Sequence, residues 1–356
     1  MTRAPDGVSP WSGRSHGQLA ELARELLLAG HLIDRSGMPH LIAQFGQEAM
    51  RDIAIDEWMA ASPIYTKRMQ QLLHFEGDTV ETIFKGLQLD IGAPPEFMDF
   101  RYEIHDEHHG EFHLAHCGAL MDVEPLGEDY VRTMCHDIED PTFDATATAT
   151  NPYARVRPIH RPPRVPADRE PHCAWTVTID PELEPLTSPR QTEDLRPCNA
   201  AAVPLPQPPP DLATDDGLTD YSGAFDPDLV MERFSSAALA TILDETALQG
   251  QLLSRAYLLQ VAQRVSNEEA RALGIRQAAG IAGLTAKRLH AALSAGGGLE
   301  GLGAVLDVHP LLLPRAYCAT RVERDAGGGA LRLGIGACAA LDERDGLTWP
   351  ALLAEP

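Results

Sequence analysis

The chain is short of basic residues, cysteine and aromatic side chains, and it has no long apolar run. Lys and Arg total 29 against 52 Asp and Glu, a formal charge of -23. Surfaces that hold phosphate backbones or anionic lipid are electropositive, so nucleic acid and an acidic membrane are not expected partners. Six cysteines in 356 residues are too few for a disulfide scaffold and read as thiols, ligands or nucleophiles. No apolar stretch reaches the roughly 18–20 residues of a membrane span. The opening "MTRAPDGVSPWSGRSHGQ" lacks the apolar core of a signal peptide. These absences point to a cytoplasmic protein. The 44% hydrophobic share is enough for a sizeable core, and the length allows more than one domain.

Residues 1–16 show no periodicity and are expected to be disordered. From Gly17 to about Leu89 apolar residues recur at helical spacing, as in "LAELARELLLAGHLI", with Pro63 starting or kinking a helix. "MDFRYEIHD-EHHG-EFHLAHC" then reads as strand, turn, strand, with Gly110 in the turn. Strict alternation puts Glu111, His113, Ala115 and Cys117 on one face and Phe112, Leu114 and His116 on the other. A helix over about Glu128–Ile138 and two strands, "ARVRPIHR" and "CAWTVTI", complete a unit over 17–180. Residues 181–228, dense in proline and charge, read as a semi-extended linker. Helical periodicity resumes in a second unit over 229–356.

The second unit repeats the first. At a shift of 220, Leu19, Glu25, Leu28, Gly30, Leu32 and Arg35 fall on Leu239, Glu245, Leu248, Gly250, Leu252 and Arg255, and "IYTKRM" falls on "LTAKRL". Beyond the helices "HLAHCGALMD" parallels "LGIGACAALD", setting Cys117 opposite Cys338. The second copy has no counterpart of "CHDIED" or of the last two strands. The predicted fold is therefore α+β, a helical bundle on a small antiparallel sheet, as a tandem pseudo-repeat with an incomplete second copy. A second chain, identical or different, could complete that copy.

The region His105–Cys173 concentrates the chemistry. Only the first copy has histidines around its strand cysteine, so the fold itself does not require them. In a nucleophile reading, Cys117 or Cys135 attacks, and His116 or His136 moves the proton. Asp140 orients an imidazole or activates water, and His113, Glu139, Asn151 and Cys173 bind substrate. In a metal reading, Cys117, Cys135, His136 and Cys173 hold zinc or another transition ion. The plainer alternatives are that Cys117 is a small buried apolar residue, that the acids after Cys135 form a solvated helix end, and that "EHHG" is a solvated turn. "GGGLEGLG" follows a helix and lacks the lysine of a phosphate loop.

The segments "FHLAHC", "MCHDIED", "TATNPYARVRPIHR" and "PHCAWTVTI", in that order after a helical part, resemble the L-2-amino-thiazoline-4-carboxylic acid hydrolases over residues 19–180. The resemblance maps the family pattern onto Cys117, Cys135, Asp140 and Cys173. It implies hydrolysis of a C–N or C=N bond in a cyclic amidine or amide-like small molecule. The chain departs from it at Arg169-Glu170, where the family has Gly-Asp, and at Cys117-Gly118, where it has Cys-Pro.

Overall fold

A computed structural model describes residues 9–212, 214–325 and 329–354. The fold is α+β. The first unit opens with α1 (His16–Leu27), α2 (Ala29–Phe45), α3 (Gln47–Leu72) and α4 (Val80–Leu87). The hairpin β1 (Met98–Ile104) and β2 (His109–Cys117) follows, then α5 (Gly118–Val123) and α6 (Glu128–Arg132). A π-helical turn over Thr133–Ile138 leads into α7 (Glu139–Thr148), and β3 (Ala154–His160) and β4 (Cys173–Ile179) close the unit. After α8 (Arg190–Leu195), the second unit comprises α9 (Ser236–Arg264), α10 (Asn267–Ala292), α11 (Gly298–Asp307), α12 (Arg315–Cys318), β5 (Thr320–Arg324), β6 (Leu331–Ile335) and α13 (Trp349–Ala354). Among the described residues no helix is long and apolar enough to cross a membrane.

The repeat is carried into the helix boundaries. α10 begins and ends 220 residues after α3, and α9 begins 220 residues after α1. Side-chain oxygens cap these helices where the sequence supplies them: Ser15 and Gln18 form a reciprocal box at α1, and Ser235 and Ser266 cap α9 and α10. The two units do not stand apart. α3 packs on α9 and α10 packs on α2, so each unit's helices pair with the other's around one shared core. The exchange is written in two ion pairs: Arg68 holds Glu245, and Arg288, 220 positions after Arg68, holds Glu25, 220 positions before Glu245. This is the geometry of an isologous interface, here within one chain.

The sheets are unequal. The first unit has four antiparallel strands in the order β1-β2-β4-β3, the second only the pair β5-β6. The inner face of the larger sheet, with Phe112, Leu114, Trp175 and Val177, joins Val80 and Phe84 of α4 in a second apolar core.

Four expectations change. First, residues 1–8 lie outside the described part, but Trp11 is fully buried and its Nε1 donates to Asp244 at 3.0 Å, so the end of the 1–16 segment is anchored rather than disordered. Second, 181–228 is no open linker. It lies along the bundle, burying Leu195, Ala200, Val203 and Tyr221. Pro63 explains one anchor. It sits inside a continuous α3, and its missing N–H leaves the Met59 carbonyl unpaired within the helix. Thr192 of α8 supplies the donor at 2.6 Å. Third, Gly110 lies in β2 opposite Ile104 and not in the turn; a Cβ there would come within 2.8 Å of Val80 Cγ1. Fourth, the hairpins close one residue after their last strand residue at Gly118 and Gly336, whose N–H groups bond to Phe97 and Ala319. By that register Cys117 matches Ile335, and Cys338 comes three residues later.

Candidate functional site

A cavity of about 530 Å³ opens between α2, α3, β1 and the α5–α7 segment, within the roughly 300–1,000 Å³ of small-molecule sites. Its walls are apolar: Met38, Ile42 and Trp58 from the bundle, Met98 and Phe100 from β1, and Ile138 and Phe143 from the π turn and α7. Four acids line it, Asp34, Asp90, Asp122 and Glu139, together with His31, Arg35 and Tyr65. The loop carrying Asp90 is brought in by Gly30: a Cβ there would stand 2.5 Å from the Ile91 carbonyl oxygen, so only glycine admits the loop.

The acids differ in their partners. Asp122 pairs with Arg35 at the half-exposed mouth, Arg35 Nε donating at 2.6 Å. Asp90 accepts from Tyr65 Oη at 2.8 Å and from the Gly92 N–H at 2.7 Å, and burial holds its carboxyl at about 6. Asp34 accepts from Trp58 Nε1 at 3.1 Å through one oxygen; its other oxygen is buried without a partner. Burial pushes the Asp34 carboxyl up to about 7 and that of Glu139, whose Oε2 is likewise orphaned, up to about 8. Behind Asp34, Glu57 is fully buried with both oxygens unpaired; burial, and then the Asp34 charge, raises it well above the carboxylate range.

The second unit shows that the fold does not need these acids. At the positions of Asp34 and Glu57 it has Ser254 and Gln277, and Ser254 Oγ donates to Gln277 Oε1 at 3.0 Å. Trp349 donates to the same Gln277 oxygen at 3.3 Å, and Arg255, the counterpart of Arg35, is bound to Asp345. Where the second unit closes this region with a neutral pair and its own chain, the first has two buried acids and a cavity.

Most of the residues singled out from sequence lie outside this cavity. Glu139 lines it. Cys117, Cys135 and Cys173 are buried in the apolar core beneath the sheet. Burial first, and Glu139 second, raise all three thiols, Cys117 to about 12. A nucleophilic cysteine needs the opposite shift. Cys117 Sγ instead accepts the Leu120 N–H at 3.3 Å as the cap of α5.

The shared face expected for His113 and Cys117 is removed by an irregularity in the β1–β2 register. Phe100 pairs with Leu114 and Asp99 with His116, so Ala115 is the extra residue. This bulge turns Cys117 inward with Leu114 and leaves His113 and His116 outward and exposed. His116 packs near His172, whose Nδ1 accepts the Cys117 backbone N–H at 3.1 Å. His136 Nε2 bonds to the Pro162 carbonyl at 2.6 Å, Asp140 pairs with Arg161, and Asn151 bridges Asp78 and Tyr153. The Cys117, Cys135, His136 and Cys173 set does not form a metal cage. Among the described residues only His105, His109 and Glu111 bring three ligand atoms within 4.8 Å of one another.

The raised carboxyls make a stability prediction. Asp34 and Asp244 are held at about 7, Glu139 at about 8 and Asp90 at about 6, and Glu57 is raised well above its ordinary value, all chiefly by burial. In the unfolded chain they ionise near pH 4. From about pH 4 to about pH 8 the unfolded state therefore binds fewer protons than the native state, and stability falls as pH rises. His31 and His309, pushed down to about 4 by burial, oppose this below about pH 6.5, but the five carboxyls outnumber them. Thermal melts should show Tm decreasing from about pH 5.5 to about pH 8.5; a Tm that rises across that interval contradicts the shifts.

No family model, curated protein or solved structure matches the chain.

Proposed function

We propose that the chain is a small-molecule hydrolase acting on a C–N or C=N bond of an apolar cyclic amidine or amide-like substrate, with carboxyl acid–base chemistry in the cavity of the first unit. The observation that carries this is the pair Asp34 and Glu139: two carboxyls with orphaned oxygens and raised pKa, lining an apolar-walled cavity of substrate size. Groups poised near neutrality are suited to proton transfer. The resemblance to the amino-thiazoline hydrolases suggests the bond type; the buried, raised thiols and the acids that line the cavity favour carboxyl over thiol chemistry.

In this reading water adds through its oxygen to the amidine carbon and its proton passes to ionised Asp34, while Glu57 stays protonated behind it. On addition the C=N π pair moves onto the retained nitrogen. The departing nitrogen then takes the proton of neutral Glu139 as its C–N bond breaks, and the hydroxyl proton passes to the retained nitrogen as the amide carbonyl forms. Return of the Asp34 proton to Glu139 resets the site, so the net change is addition of one water. Glu139, Asp34 and the Tyr65–Asp90 pair would meet the substrate's nitrogens, and Trp58 and Phe100 its apolar body.

The test is turnover of a panel of cyclic amidines and small cyclic amides, followed by product formation. Cys135→Ala should keep kcat/KM within about threefold, since its sulfur is outside the cavity, whereas a thiol mechanism would lose the activity by orders of magnitude. Absence of turnover for every cyclic C–N substrate would overturn the reading.

A further inference from the structure

We propose that the end of the β1–β2 hairpin is a binding site for a divalent first-row transition ion, held by His105, His109 and Glu111 and separate from the cavity. The ligand atoms of these three residues already lie within 4.8 Å of one another, and the two imidazole rings are 4.7 Å apart between centroids. An ion between them would need only small side-chain rotations to reach bonding distances of about 2.0–2.2 Å.

The backbone that carries these groups is fixed on three sides. Within the hairpin the His105 N–H bonds to the His109 carbonyl at 3.0 Å, and Asp106 Oδ1 accepts the His108 N–H at 2.8 Å. From outside, Val80 at the start of α4 donates to the Glu107 carbonyl at 2.9 Å, and Ile179 at the end of β4 donates to the His108 carbonyl at 2.8 Å. The turn therefore presents its side chains on a held frame, which lowers the ordering cost of binding.

The charges around it are unresolved without a cation. Glu103 and Glu111 stand directly opposite each other in the β1–β2 register, an unfavourable like-charge pair in a chain of net charge -23. The His105 ring lies between them, with Nδ1 3.6 Å from Glu103 and Nε2 3.7 Å from Glu111, too far for hydrogen bonds. A dication would convert that repulsion into attraction. Two imidazoles and a carboxylate favour zinc, nickel, cobalt or copper over calcium or magnesium, which prefer all-oxygen sites. Glu103 can serve as a fourth ligand.

Titration calorimetry of the full chain with zinc chloride, repeated with nickel chloride, tests this. One ion per chain is expected, with no competition from excess magnesium. His105→Ala and His109→Ala should each weaken binding by at least about tenfold, since losing a ligand exceeds the effect of disturbing its surroundings. The double variant should lose stoichiometric binding while its far-UV spectrum and metal-free melt stay unchanged, because the site is at the outer end of the hairpin, with His105 exposed and His109 half-buried, and neither ring belongs to an apolar core. Absence of stoichiometric binding to the wild-type chain overturns the proposal. So does equal affinity in the double variant, which would place the ion on the other histidines or the buried thiols.

Discussion

Arg68→Ala is expected to lower the unfolding free energy by about 3–5 kcal/mol, the range for stranding one member of a buried ion pair. Arg68 makes a two-point pair with Glu245, at 2.6 and 2.9 Å, and its remaining N–H groups reach the carbonyls of Ala201 and Val203, the latter at 2.7 Å. Glu245 is fully buried, and even with Arg68 present its carboxyl is raised, burial outweighing the guanidinium. Without the arginine, native Glu245 must take up a proton or remain an unpaired buried charge, and two carbonyls of the proline-rich strap lose their donor. Arg288→Ala removes the pseudo-symmetric pair with Glu25 and should cost less, about 1–2 kcal/mol, because the Arg288 side chain is 46% exposed although Glu25 is buried. Urea unfolding of the two variants measures the contrast. Equal, small losses would show that the Arg68 pair and the strap add little to the fold.

These two pairs show how far the sequence can be read. Arg68, Arg288, Glu25 and Glu245 are visible in the repeat as matched positions. That each arginine would reach the other copy's glutamate was not visible, because it depends on how two amphipathic faces dock, and periodicity reports only that such faces exist. The register common to both copies is visible in the sequence, and the serines that cap α1, α9 and α10 add a local signal at their starts. The hairpin was read correctly as strand, turn, strand, but one extra residue at Ala115 reversed the faces of everything after it. Period-two reasoning has no defence against a bulge.

The candidate site was missed for a different reason. Cysteine and histidine drew the reading to residues 105–173 because those residue types are rare and reactive. Asp34 and Glu57 sit in helices of a strongly acidic chain, where acids ordinarily face solvent. A signal was nevertheless present. The comparison between copies that set aside the histidines as unnecessary to the fold applies equally to the helices, where Asp34 and Glu57 are replaced by Ser254 and Gln277 while Arg35 and Arg68 are kept as Arg255 and Arg288. A neutral pair in one copy and an acidic pair in the other marks positions where the helices are kept and the chemistry is not. Glu139 was found from sequence, although as a neighbour of the thiols rather than as a group facing a cavity.

The double variant Asp34→Ser with Glu57→Gln installs the second unit's pair in the first. It is expected to reduce kcat/KM by about 10²–10⁴, the usual contribution of a positioned acid or base, with no loss of stability at neutral pH. The two halves of that expectation have one cause. In the native chain Glu57 has two buried oxygens without partners and Asp34 has one, each an unmet desolvation cost. At these positions in the second unit the Ser254 hydroxyl donates to Gln277 Oε1 at 3.0 Å, and one buried polar atom, Gln277 Nε2, stays without a partner where the first unit leaves three oxygens unpaired. Removing the acids should therefore relieve three orphaned oxygens, a gain set against the lost Trp58 Nε1 bond, while removing the base that accepts water's proton. The replacement also deletes two of the raised carboxyls, Asp34 and Glu57, so the fall of Tm between about pH 5.5 and about pH 8.5 should become shallower. This second readout is independent of substrate. A variant that hydrolyses substrate at the native rate would remove Asp34 from the chemistry even if its pH profile flattens. A variant that is inactive with an unchanged pH profile would mean that the two acids titrate as ordinary surface carboxylates, and that activity was lost through the shape of the cavity.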